Sequence, residues 1–145
     1  MTTAMQTPAS KTDYALLLAR ILMASIFVFS AIEKIFYFNG VVAFASANGV
    51  PLARPLMPLA ILFELAGGLL LLLGWQCRKV ALAFVVWIVV LGVWFHRFWA
   101  VPQQEWQMMV DSFFHHLVMA GGFLVLAIHG PGALSLDARA ARSER

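Results

Sequence analysis

The sequence predicts an all-α integral membrane protein whose four transmembrane helices form an up-down-up-down bundle. Of its 145 residues, 62% are hydrophobic and only 12% are charged, whereas a soluble domain carries about a quarter charged residues. Charge-poor stretches of about 20 residues recur along the chain, and that length crosses the hydrocarbon core of a bilayer. Because lipid offers the backbone no hydrogen-bond partners, such stretches must form helices or closed barrels. The length leaves room for one domain.

The first predicted span covers residues 14–38. It follows a polar segment, residues 1–13, which has too little apolar material for a core and which we expect to be a disordered tail. At 1.5 Å per residue the span reaches roughly 37 Å, enough to cross the hydrocarbon. Arg20 interrupts the apolar stretch, and Glu33 and Lys34 lie near its end, which argues against a cleaved signal peptide.

Three further spans complete the prediction, and prolines, glycines or charged residues mark their ends. The second contains one charged residue, Glu64. The third contains no ionisable residue, and the fourth contains none except His115 and His116. A short apolar stretch, Val41 to Ala47, cannot cross the membrane, and we expect it to lie along the interface. The predicted spans are 14–38, 55–74, 80–95 and 112–128, inside a membrane domain at 14–130 that a polar tail at 131–145 follows.

The distribution of basic residues predicts the orientation, because Lys and Arg near helix ends are enriched on the cytoplasmic side. With four alternating spans, six basic residues lie on the side of the termini and two on the other side. This asymmetry predicts that both termini are cytoplasmic. The six are Lys11, Arg78, Lys79, Arg139, Arg142 and Arg145, and the two are Arg54 and Arg97.

Composition and motifs exclude several function classes. The net charge of +3 comes with no basic run, so we expect no nucleic-acid partner. A single cysteine, Cys77, cannot form an internal disulfide or a CxxC pair, which excludes a self-contained thiol-disulfide enzyme. The chain has no P-loop, G-x-G-x-x-G turn, G-x-S-x-G elbow or H-E-x-x-H helix. We therefore predict no catalytic activity of its own.

Charged residues inside the spans are the first candidate site, because each costs about 2.5 to 3.5 kcal/mol at a helix centre and normally faces a partner or a cavity. By helix geometry, Arg20 lies about 9 Å and Glu64 about 15 Å from the same end of their spans. We predict that they pair, either to fix helix register or to serve a proton or a substrate. Lys34 lies on the same stripe of the first helix as Arg20, whereas Glu33 does not, which makes Lys34 the third candidate. The favoured interpretation of Glu33 and Lys34 is nevertheless that both extend to water at the interface.

A second candidate site gathers polar residues at the outer ends of the third and fourth spans. Asp111 and His115 are four residues apart, so the carboxylate is expected to hold the imidazole. His96 and His116 complete the group. Histidines with nearby methionines suit Cu(I) or haem, but hydrogen bonding at the interface is the favoured interpretation and a non-metal binding site the second. We predict no metal, haem, copper or other resident cofactor, and a quinone is the one ligand left open.

Several segments together resemble the DoxX family of small four-helix bacterial membrane proteins. The order and spacing of these segments carry the resemblance, which runs from about Tyr14 to Arg139. The segments are Ala19-Arg20-Ile21-Leu22, Glu33-Lys34, Ala47-Asn48-Gly49-Val50-Pro51, Phe63-Glu64-Leu65-Ala66-Gly67-Gly68 with Gly74 and Arg78, Phe95-His96, Ala120-Gly121-Gly122-Phe123-Leu124, and Gly130-Pro131-Gly132-Ala133-Leu134-Ser135-Leu136-Asp137.

The resemblance implies a multi-pass protein of the bacterial inner membrane. The family takes its name from a small subunit linked to a quinol oxidase, and other members resemble partners in membrane-associated redox-stress complexes. Members often carry a Lys-Asn pair before the glycines of the fourth helix, where this chain has His115 and His116. A role attributed to that pair does not transfer here.

Two functions follow as hypotheses. The leading one is a non-catalytic or accessory subunit connected to redox or quinone metabolism or oxidative stress, with the bilayer and other membrane redox subunits as partners. The alternative is a carrier or binding bundle in which Arg20, Lys34 and Glu64 line a polar interior for an anionic or quinone-like ligand. Association of the chain with itself is left open.

Overall fold

The structure is a computed structural model that describes residues 9–144, and these form six α-helices and one 3₁₀ turn. Four of the helices are long and apolar enough to cross a membrane, which confirms the predicted all-α membrane class. The helices are α1 (Lys11–Phe36), α2 (Phe38–Ala47), α3 (Ala53–Leu73), α4 (Cys77–Phe95), α5 (Gln103–His129) and α6 (Leu136–Ser143), and the 3₁₀ turn is Phe98–Ala100.

The long helices α1, α3, α4 and α5 alternate in direction. Near the start of α1, Arg20 contacts the last turn of α3, whereas Lys34, near the end of α1, contacts Glu64 further back along α3. In the same way Arg78, at the start of α4, donates hydrogen bonds to carbonyl groups at the end of α5. The bundle therefore has an α6 end, where α1 begins and α5 ends, and an α2 end opposite to it.

Aromatic rings fill the centre of the bundle. The ring of Phe84 from α4 lies 4.1 Å from that of Phe27 in α1 and 5.3 Å from that of Phe123 in α5, measured between centroids. Gly67 lets α3 approach this centre, because a Cβ at that position would lie only 2.8 Å from the Phe84 ring. A residue without a side chain is the usual means of close helix approach in membranes.

Two helices extend beyond the boundaries that hydropathy predicts. The helix α5 begins at Gln103, whereas the predicted span begins at 112, and α2 begins at Phe38, before the apolar stretch Val41 to Ala47. Hydropathy locates the residues that lie in hydrocarbon, whereas a helix continues into the polar region as long as its backbone hydrogen bonds continue.

Both predicted tails are ordered within the described residues. Residues 1–8 lie outside these, but α1 begins at Lys11, and Ser10 and Asp13 form a capping box at its start. The disordered tail predicted for 1–13 is therefore wrong for its last residues. At the other end, residues 136–143 of the predicted polar tail form α6. Which end faces the cytoplasm stays a prediction.

Candidate functional site

The predicted pairing of Arg20 with Glu64 is wrong. The Arg20 guanidinium is fully buried and donates hydrogen bonds to the carbonyl oxygens of Leu71 (3.4 Å), Leu72 (3.2 Å) and Leu134 (2.5 Å). The last turn of a helix leaves four carbonyl groups without partners inside the helix. Two of those α3 carbonyls, together with that of Leu134, accept hydrogen bonds from both terminal nitrogens of Arg20, and none of these acceptors is a carboxylate.

Glu64 instead pairs with Lys34. The Lys34 Nζ lies 2.8 Å from Glu64 Oε2, and the Glu64 side chain is only 1% exposed. The other carboxylate oxygen, Oε1, accepts a hydrogen bond of 3.1 Å from Trp87 Nε1. Lys34 also donates to the hydroxyl of Ser30. These four residues, Ser30, Lys34, Glu64 and Trp87, are named here the Lys34 cluster.

Helix geometry explains how the Lys34 cluster assembles. Ser30 and Lys34 are four residues apart on α1 and therefore share a face, and that face meets α3 at Glu64. Trp87 joins from α4 and was not anticipated from the sequence. A signal was present, because a tryptophan within an apolar span needs an acceptor for its indole N–H, and Glu64 is the only carboxylate in the facing helix α3.

A cavity of about 950 Å³ lies beside the Lys34 cluster at the α2 end of the bundle. Its volume is within the range of small-molecule sites, about 300 to 1,000 Å³. Apolar and aromatic side chains form most of the lining, and Lys34, Glu64 and Trp87 supply polar groups to it. The aromatic residues among the remainder are Phe44, Phe63, Trp94 and Phe95.

The helix α2 forms one wall of this cavity, and both α2 and the residue that follows it contact α4. Phe44 stacks on Phe95 with their ring centroids 5.7 Å apart and an interplanar angle of 17°. The Trp94 indole N–H donates a hydrogen bond of 3.2 Å to the carbonyl oxygen of Asn48. The short helix between the first two spans therefore packs onto the bundle and forms one side of the cavity.

The second candidate site is only partly assembled. The rings of His96 and His116 lie 4.7 Å apart between centroids, and His116 Nδ1 lies 2.8 Å from the carbonyl oxygen of Ser112. Among residues 9–144, no three His, Cys, Asp or Glu side chains lie close enough together to hold a metal ion. This place therefore offers a pair of histidine rings, one directly after α4 and one within α5.

The expected contact between Asp111 and His115 is wrong. Asp111 Oδ1 accepts a hydrogen bond of 3.0 Å from Gln107 Nε2, one helical turn earlier. His115 is exposed on the same helix. The helix α5 begins earlier than predicted, so residues 103–111 are helical. Gln107 therefore lies one turn before Asp111 on the same helix face and donates to its carboxylate.

At the α6 end, Asp137 caps the start of α4. Its two carboxylate oxygens accept hydrogen bonds from the backbone N–H groups of Gln76 (2.7 Å) and Cys77 (2.9 Å). The first N–H groups of a helix have no partners inside the helix, and an aspartate is well suited to them. Since Asp137 follows the turn after α5, sequence spacing alone did not connect it to α4.

Two further charged side chains bind backbone groups, one in the chain between α5 and α6 and the other at the end of α5. Asp13 Oδ1 accepts a hydrogen bond of 2.7 Å from the backbone N–H of Ala133. Arg78 donates to the carbonyl oxygens of Ala127 (3.0 Å) and His129 (3.2 Å) at the end of α5. All these partners are backbone groups, so the charges at this end serve the fold.

Comparison with known proteins identifies the family. The family model described as DoxX matches residues 15–97, more than half of the chain. The chain belongs to the DoxX family. It is similar to the inner membrane protein YphA of Escherichia coli strain K12, with 32% identity over 124 residues that cover 86% of this chain and 89% of YphA. It is also similar to the inner membrane protein YqjF of the same strain, with 37% identity over 125 residues that cover 86% of this chain and 91% of YqjF. No solved structure matches the chain.

The DoxX assignment confirms the resemblance that the sequence motifs carry, and this DoxX protein is a multi-pass inner membrane protein. The residues matched by the family model include all four members of the Lys34 cluster. His115, His116 and Asp137 lie beyond the matched residues.

Proposed function

We propose that this DoxX-family protein binds a lipophilic small molecule in the cavity at its α2 end. The observation that carries the proposal is the cavity of about 950 Å³, whose lining is apolar except for a few polar groups beside the Lys34 cluster. A ligand pocket typically combines apolar walls with a small number of polar groups that set the orientation. Here the apolar walls suit a hydrocarbon body and the cluster suits a polar head.

The burial of the Lys34 cluster supports a binding role. An ion pair within a membrane span is costly unless its hydrogen-bonding groups are satisfied, and Glu64 is satisfied on both oxygens. Lys34 is 20% exposed and lies in the cavity lining. The pair therefore presents one polar group to whatever molecule occupies an otherwise apolar space.

A quinone-like molecule is one ligand with a hydrocarbon body and a polar head, and its binding would connect the protein to redox metabolism. The accessory redox role that the family resemblance implies stays a prediction. Binding and an accessory role are compatible, because a subunit that holds a lipophilic redox carrier need not react with it.

The proposal is tested by filling the cavity. Ala60 lines it from α3, whereas Ala66 on the same helix is exposed and lies outside the lining. The full chain in lipid nanodiscs is titrated with a decyl-substituted benzoquinone and with myristate, and quenching of tryptophan fluorescence, or displacement of a bound fluorescent fatty acid, reports binding. Ala60→Phe should weaken the binding of whichever probe binds more tightly at least tenfold, and Ala66→Phe should leave that binding unchanged. If neither probe binds, or if both variants bind like the parent chain, the proposal is wrong.

A further inference from the structure

The carboxylate of the Lys34 cluster offers almost no exposed surface to a ligand. Glu64 Oε2 accepts from Lys34 at 2.8 Å and Oε1 accepts from Trp87 at 3.1 Å. The side chain is only 1% exposed. The indole N–H of Trp87 is also used by this contact, because it is a single donor. Neither group is therefore the main polar contact of a bound molecule.

Lys34 keeps one donor for a ligand. An ammonium group has three N–H donors and no acceptor. Two of these donors are directed to Ser30 and Glu64. The side chain is 20% exposed and lies in the cavity lining. The cavity therefore offers a hydrogen-bond donor, and the head group of the ligand must supply an acceptor.

The charges of the lining oppose an anionic head group. The lining contains the carboxylates of Glu33 and Glu64 and a single ammonium group, that of Lys34. The ammonium is already paired at 2.8 Å, so an added anion would enter an apolar space without a countercharge of its own. Burying an unpaired charge in such a space is strongly unfavourable. An uncharged acceptor avoids this cost.

We propose that the ligand is an uncharged lipophile whose carbonyl oxygen accepts a hydrogen bond from Lys34 Nζ. This inference rests on the proposed binding function and specifies the class of ligand. The cavity lining also carries aromatic rings at the cluster, those of Phe63 and Trp87, and a flat carbonyl-bearing group can pack against such rings. The same chemistry occurs in the acyl ester of a membrane lipid and in a free ketone, ester or quinone.

A chain-matched series tests the head group. Methyl myristate, myristate and tetradecane are titrated against the full chain in nanodiscs, with concentrations expressed per lipid. Methyl myristate should bind at least tenfold more tightly than myristate and than tetradecane. Tighter binding of myristate would overturn this inference and leave the proposed function in place. If no member of the series and no quinone binds, both fail.

Two substitutions test the role of Lys34. Lys34→Met should remove the advantage of methyl myristate over tetradecane. Glu64→Gln leaves the ammonium without its countercharge, so the affinity ratio of methyl myristate to myristate should shift toward myristate by at least tenfold. Lys79→Met is the matched control, because Lys79 is an exposed lysine at the α6 end, and it should change neither preference. Circular dichroism verifies that each variant is folded, and an unchanged preference in folded Glu64→Gln would contradict the inference.

The source of the carbonyl is distinguished by the lipid of the nanodisc. If bilayer esters occupy the cavity, methyl myristate should bind more tightly in nanodiscs of ether-linked lipids, which have no acyl carbonyl. If the natural occupant is a free molecule, the affinity should be the same in both lipids. Once the chain-matched series has shown a preference for the carbonyl, the first result assigns it to bilayer esters and the second to a free molecule. Weaker binding of methyl myristate in ether-linked lipids would contradict both.

Discussion

Two cations on α1, the buried Arg20 and the partly exposed Lys34, are stabilised in different ways. Arg20 uses its forked guanidinium to bind three backbone carbonyl oxygens, which lie at the end of α3 and in the chain before α6. Lys34 is a compact charge and pairs with the carboxylate of Glu64. The arginine therefore joins elements of the fold, whereas the lysine is left beside a cavity where a ligand can reach it.

A double-mutant cycle should separate these two cations. Lys34→Met and Glu64→Gln remove partners of one ion pair, so their effects on the free energy of unfolding should be non-additive by about 1 to 3 kcal/mol. Arg20→Met and Glu64→Gln share no partner and should add within about 0.5 kcal/mol. The measurement is reversible unfolding in detergent micelles. Additive effects for Lys34 and Glu64, or coupling between Arg20 and Glu64, would contradict the contacts described here.

Helix packing depends on where the small residues lie on each helix. Gly67 of α3 faces the fully buried ring of Phe84. At Gly121 of α5, by contrast, an added Cβ would have no neighbouring atom within 4 Å. Both glycines lie in apolar sequence next to a second glycine. Their environments differ because only the tertiary structure determines which face of a helix meets a neighbour.

Gly67→Leu should therefore destabilise the protein by about 1 to 3 kcal/mol, the usual cost of adding volume to a packed core. Gly121→Leu adds the same volume at an exposed position and serves as the matched control. Thermal unfolding of both variants in the same detergent measures the difference. Equal melting temperatures would show that α3 does not approach Phe84 as closely as described.

The cap of α4 depends on a residue from another element. Asp137→Ala removes the acceptors for Gln76 and Cys77 and should cost about 0.5 to 2 kcal/mol. Cys77 is fully buried, so a maleimide should label it slowly in the parent chain and faster in Asp137→Ala. Asp137→Asn keeps one oxygen acceptor and should give an intermediate rate. Identical labelling rates in all three proteins would contradict the cap.

In the whole molecule, the two ends of the bundle differ in how their polar side chains are used. The α6 end is held by charged side chains that bind backbone groups, among them Asp13, Arg20, Arg78 and Asp137. The α2 end contains the cavity and the Lys34 cluster. One end is therefore fixed by polar contacts, and the other has room for a ligand.

The orientation of these ends is a prediction for the whole chain. The asymmetry of basic residues places the α6 end in the cytoplasm, so a periplasm-active reporter fused after Gly49 or Val101 should be active and one fused after Arg145 silent. Both internal positions lie between helices. An active fusion after Arg145 would reverse the orientation and place the mouth of the cavity on the cytoplasmic side.

The sequence by itself determined the class, the number of spans and the family. Hydropathy is a local property, since each stretch of about 20 apolar residues meets lipid with its own side chains. The DoxX motifs are also local, and the family match confirms them. Arg20, Lys34 and Glu64 were recognisable as candidates because any charge within a span is costly.

Only the tertiary structure decided which of these charges meet. Helix depth counts each helix as an independent rod. In the folded protein, Gly68 of α3 lies against Ala24 and Val28 of α1, and Arg20 binds carbonyls at the end of α3, and these contacts fix how α1 and α3 lie against each other. In that arrangement Arg20 meets backbone oxygens and Glu64 meets Lys34. Trp87, Asp137 and the cavity depend on contacts between residues distant in sequence, and no local pattern encodes such distances.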